Sequence, residues 1–206
     1  MPDSSDLVDL LATIRLPDLF NPYTDLDPLH DLPDAPVRRQ ANLRTYLDQM
    51  LARRPTELWL AESGSHTGTR RSGLPLIPTT EVTALNERFD TDSFSQPTRT
   101  DDRPGMTASY VWEAALRRPR LPLLWNAVMA QPHKSGQPYR NRPTRQIELQ
   151  SYLPVLQQLL KVYAPRDIVA IGRVAERMLQ TLNVPHRYVR HPAQGGAAAF
   201  CRGVHQ

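Results

Sequence analysis

A single cysteine, Cys201, stands in a chain of 206 residues. That scarcity excludes an intramolecular disulfide and any four-cysteine zinc or iron–sulfur site. No apolar run approaches the roughly 20 residues that cross a bilayer. The first residues, Met1-Pro2-Asp3-Ser4-Ser5-Asp6, lack the basic region of a secretory signal. These absences point to a cytoplasmic protein with no membrane partner. There is no internal repeat, no GxxxxGK phosphate loop and no GxGxxG fingerprint. The length suits one well-buried domain better than two.

Acid is also missing from one half of the chain. Residues 1–119 hold 13 Lys and Arg against 18 Asp and Glu, whereas residues 120–206 hold 12 against 3. A half so basic suits a polyanion, with nucleic acid foremost. A preference for arginine codons is the plain alternative, because 23 of the 25 basic residues are Arg.

Residues 1–35 form an acidic N-terminal appendage with eight Asp, one Arg and prolines at 17, 22, 28 and 33. It holds one short amphipathic helix over Leu7–Ile14 and either packs on the main domain or stays mobile. From residue 36 to 206, helical and strand patterns alternate. Helices are expected at Val37–Arg53, Thr107–Arg118 and Arg173–Leu182, and strands at Glu57–Ala61, Leu121–Met129, Asp167–Gly172 and His186–Arg190. Residues 90–106 read as an irregular connection and residues 131–143 as a long basic loop. Thr144 is placed to cap a further helix. Such alternation predicts an α/β domain, a three-layer α/β/α sandwich around a four-stranded parallel sheet.

Three expected strands end in chemistry. Leu58-Trp59-Leu60-Ala61 runs into Glu62-Ser63-Gly64-Ser65, Leu123-Leu124-Trp125 into Asn126, and Val189-Arg190 into His191-Pro192-Ala193-Gln194-Gly195-Gly196. In an open parallel sheet such ends converge on one crevice. Small residues after Glu62 let backbone approach a ligand. An Asn amide offers donors and an acceptor to a base edge. Each element alone also has an ordinary structural reading.

Together these segments resemble the motifs of the uracil-DNA glycosylase superfamily over roughly residues 55–203. Ala61-Glu62-Ser63-Gly64-Ser65 is similar to its Gly-Glu-Ala-Pro-Gly motif, Trp125-Asn126-Ala127-Val128 to its Asn-bearing strand end, and His191-Pro192-Ala193 to its His-Pro-Ser/Ala loop. Asn141-Arg142-Pro143-Thr144 and Ile168–Arg173 resemble the branch called family 4, whose iron–sulfur cluster this chain cannot bind. The resemblance implies that Glu62 holds the attacking water, with Ser63 the position used in some branches. Asn126 would pair with uracil and His191 would stabilise charge on its O2. It further implies base excision repair on DNA, uracil-containing or single-stranded, by a monomer using neither metal nor cofactor.

Ser63, Gly64 and Leu76 would complete the base pocket. Arg140, Arg142, Arg187, Arg190, Gln194 and Gly195 would meet the DNA. Departures from the family pattern are specific. Leu76 stands where an aromatic stacks on uracil, and Gly64 replaces a Pro, which loosens the loop. Gln194-Gly195-Gly196 lacks a bulky wedge. Two rivals stay open: a non-catalytic DNA binder, and an enzyme of this fold acting on another base or a free nucleoside.

Overall fold

Three apolar runs become parallel strands, and their near-continuous hydrophobicity is what a sheet covered on both faces requires; the fourth strand, at an edge, is the more polar Arg187–Val189. The computed structural model describes residues 4–77, 79–99 and 106–204; residues 100–105 of the expected irregular connection lie outside these. The chain begins with α1 (Ser4–Thr13), β1 (Leu19–Phe20), α2 (Ala35–Arg53), β2 (Glu57–Ser63) and α3 (Thr69–Ser72). A 3₁₀ turn at Thr79–Glu81 precedes α4 (Ala84–Phe89), α5 (Met106–Leu116), β3 (Leu123–Val128), β4 (Gln131–Lys134) and β5 (Gln137–Asn141). Then follow α6 (Gln146–Tyr163), β6 (Asp167–Ile171), α7 (Arg173–Thr181), β7 (Arg187–Val189) and α8 (Ala197–Val204).

The main sheet has the order β3-β2-β6-β7, all parallel. Strand β2 is therefore the first of the four in sequence yet lies inside the sheet. The chain steps from it to β3 on one side and crosses back to β6 on the other. The carboxyl ends of β2 and β6 thus flank a topological switch point, where a crevice opens in such sheets. Trp59 and Trp125 are fully or almost fully buried, and α6 and α7 pack across the strands.

The N-terminal residues join this core. Leu7, Val8 and Leu11 of α1 are fully buried against α2 and α6. Two of the aspartates in this segment serve as buried counter-ions: Asp31 pairs with Arg39, and Asp27 with Arg70.

Residues 131–143 depart from the expected loop. They form the hairpin β4–β5, which β1 extends to a three-stranded antiparallel sheet. Gln-Pro-His-Lys and Gln-Pro-Tyr-Arg-Asn lack apolar alternation, so the strand pattern is silent there. The usable signal is Ser135-Gly136, a two-residue hairpin connection with Gly136 at φ 68°.

Candidate active site

Strand β2 carries its last residues, Glu62 and Ser63, beyond the buried run to the rim of the sheet. Gly64 follows, buried, and donates its N–H to the Val128 carbonyl at 3.0 Å. A Cβ at this position would lie 2.9 Å from the Ala130 carbonyl oxygen. Gly64 therefore tightens the loop against β3, contrary to the expected loosening, and a proline could neither fit nor make the bond. The short α3 comes next, and its Arg70 reaches buried partners while Arg71 Nε donates to the His66 carbonyl of the same loop. Arg70 meets Asp27, Gln131 and the Pro138 carbonyl, with its guanidinium 3.7 Å from the centre of the Phe20 ring. Arg39 holds the Arg71 carbonyl, and Tyr23 donates to Gly73. The segment is thereby fixed from behind. Burial raises the Asp27 carboxyl, but the Tyr139 hydroxyl and Arg70 more than offset this and hold it below its ordinary value.

Asn126, 2% exposed, interrupts the apolar run of β3 two residues before its end, beside this loop. The Thr69 hydroxyl lies 3.3 Å from its Oδ1. His191 follows β7 and packs on Gly172, the residue after β6. Gly172 has φ 89°, and a Cβ there would stand 3.2 Å from that of His191, so glycine alone suits the position. The Ala193 N–H donates to His191 Nδ1 at 3.2 Å, which leaves the ring proton on Nε2. Burial lowers the His191 pKa, partly countered by the Glu62 carboxylate. The imidazole is thus held neutral, with one N–H to give.

A cleft of about 410 Å³ gathers these groups. Glu62, Ser63, Gly64, Leu76, Asn126 and His191 all line it, at the carboxyl ends of β2, β3 and β7. Leu76 is 7% exposed and sits at φ 56°, an uncommon conformation for a branched residue and one that clusters at functional sites.

Thr144 was missed as a site residue. Expected to cap α6, it instead donates to Glu62 Oε1 at 3.3 Å. The cap position falls to Arg145, whose N–H is taken by the Glu148 side chain. A Thr just after Pro143 and outside the helix was the available signal. Asn141 was also missed: its Oδ1 accepts from the His66 N–H and from Gln131, tying the hairpin to the loop after β2.

The six residues expected to meet DNA divide. Arg140, Arg190, Gln194 and Gly195 are exposed. Gln194 and Gly195 form a left-handed turn, with φ 53° and 75°. Arg142 lines the cleft, but its guanidinium is committed to the buried Glu148 and to the carbonyls of His133, Pro143 and Asp18. It pins the loop rather than offering a free cation. Arg187 is on the far side. As the first residue of β7 it lies with Glu57 and Asp167 at the amino ends of the strands, and it donates to the Gly203 carbonyl. Strand direction decides this: two residues separate Arg187 from the rim that Arg190 reaches.

Among the described residues, no group of three or more His, Cys, Asp or Glu side chains could hold a metal ion. None of the described helices is long and apolar enough to cross a membrane. No protein-family model matches the sequence, and no curated protein does. Among solved structures, wild-type SMUG2 of Pedobacter heparinus is similar, with a TM-score of 0.58 and 10% identity over 98% of this chain and 95% of that one. That neighbour is a member of the uracil-DNA glycosylase superfamily. At such identity the likeness is one of architecture: the chain has an α/β fold of the uracil-DNA glycosylase type.

Proposed function

We propose that the chain is a monofunctional DNA glycosylase that hydrolyses the N-glycosidic bond of uracil, or a related deaminated base, in DNA. The observation that carries this reading is the convergence of Glu62, Asn126 and His191, from three strand ends, on one cleft. A base inside a stack cannot reach such a cleft, so the nucleotide is turned out of the strand first. Asn126 then meets the polar edge of the base through its amide. As the bond breaks, positive charge grows on the sugar and negative charge on the base. Glu62 faces the first and orients the water whose oxygen bonds to C1′. His191 faces the second, donating from Nε2 to O2 without carrying a charge of its own. Thr144 fixes the Glu62 carboxylate by donating to it.

The test is excision from oligonucleotides containing one uracil, hypoxanthine or xanthine, single-stranded and paired. Uracil release from wild-type protein is expected. Failure to release any of the three from either form overturns the reading. A non-catalytic DNA binder is the second reading, favoured by the aliphatic Leu76 in the place of a stacking aromatic. The same assay separates them, since that protein binds the oligonucleotide and leaves it intact.

A further inference from the structure

Tyr188 is 39% exposed on β7, the edge strand of the main sheet. Strand alternation explains why. Its neighbour Val189 is buried toward α8, where it crowds Gly203, so Tyr188 stands on the other face beside the start of α7. There the Arg173 guanidinium lies 4.5 Å from the centre of its ring. Arg173 is itself exposed and bonded to Glu176, which steadies it. Arg177 and Arg190 are exposed on the same two elements and their continuation. This cluster is joined to His191 of the cleft: Arg190 precedes it in sequence, and Gly172, which precedes Arg173, packs on it.

We infer that Tyr188 and Arg173 form a stacking platform for an unpaired base of the DNA strand, next to the nucleotide held in the cleft. The inference rests on the proposed action on DNA. An exposed aromatic ring under a guanidinium offers two planar, sequence-tolerant surfaces, and surrounding arginines draw the phosphates past them. The turn Ala193–Gly196 adds a second argument. It presents Gln194 and Gly195 to solvent and no bulky apolar wedge, so nothing there refills a duplex stack. A neighbouring base that leaves the stack as well needs a surface to lie on, and Tyr188, on the strand that leads to His191, is an exposed aromatic ring with a guanidinium over it.

The experiment titrates fluorescent single-stranded oligothymidylate, lacking uracil, at fixed salt. Tyr188→Ala is expected to weaken binding about 5- to 100-fold and Tyr188→Phe to leave it near wild type. With wild-type protein and a uracil-containing strand, an abasic spacer walked past the uracil should reproduce that loss at one neighbouring position. In Tyr188→Ala the spacer at that position should cost nothing more. Unchanged affinity of Tyr188→Ala, equal loss in Tyr188→Phe, or no position-dependent spacer effect overturns the platform. Binding without uracil release leaves the platform standing and removes only the hydrolytic reading. No binding by wild-type protein at low salt removes both.

Discussion

Glu62 and His191 reach the same cleft with opposite treatment by the fold. Glu62 accepts a hydrogen bond from the Thr144 hydroxyl and stays partly exposed, whereas His191 is desolvated and kept neutral. Removing either should slow excision by about 10²–10³-fold while leaving DNA affinity nearly unchanged. Steady-state rates and anisotropy on Glu62→Gln and His191→Ala check this. The pH response follows from the sign of the histidine shift. A lowered pKa means the ring stays neutral down through pH 6.5 and protonates only below it. Protonation would also fill Nδ1 and break its bond from Ala193. Activity is therefore expected to hold as pH falls to 6.5 and to drop on the acid side of that value. A pH–rate profile with its acid limb above 6.5 would contradict the assignment. Gly64 is a matter of space. Gly64→Pro loses a buried hydrogen bond, worth about 1–3 kcal/mol, and adds overpacking of similar size. The melting temperature should fall by several degrees, with no gain in activity.

At the scale of elements, the loops around the cleft are held from behind by buried ion pairs. Glu148 on α6, 1% exposed, holds Arg142 and the Arg145 N–H, and so sets where Pro143 and Thr144 run. Glu148→Ala removes the counter-ion of a part-buried guanidinium that keeps only carbonyl partners, and should cost up to about 3 kcal/mol in urea unfolding. Arg142→Ala should likewise lower stability while leaving the salt dependence of DNA binding unchanged. Asp27 gives this scaffold an acid limit. Its pKa is lowered, so its contribution is full above about pH 3.8 and disappears as pH falls through the lower folded value. In the sequence, aspartates at 27 and 31 belong to an acidic appendage that either packs on the main domain or stays mobile. Pairing with Arg39 and Arg70 makes them interior residues, and no local pattern announces a partner 43 positions away.

For the whole molecule, the uneven charge is the feature to test. Arg140, Arg173, Arg177 and Arg190 remain exposed. Each phosphate they neutralise should add roughly 0.9 to the log–log salt slope on duplex DNA and about 0.7 on single strands. A flat response between low and moderate salt would leave the basic half without a nucleic-acid role.

The sequence by itself determined the four-stranded parallel sheet, because buried strands of 3–7 residues separated by amphipathic helices have few other ways to hide two apolar faces. It also determined that polar residues stand near the carboxyl ends of those strands, and Glu62, Asn126 and His191 are legible for that reason. Tertiary structure decided what the period of apolar residues cannot encode. The β1-β4-β5 sheet is made by backbone pairing among polar residues. Arg142 and Arg187 look like free cations in the sequence, yet one is consumed by Glu148 and the other is carried to the opposite end of its strand. Thr144 belongs to Glu62 rather than to a helix, because hydrogen bonds between residues 82 positions apart exist only after the chain has closed on itself.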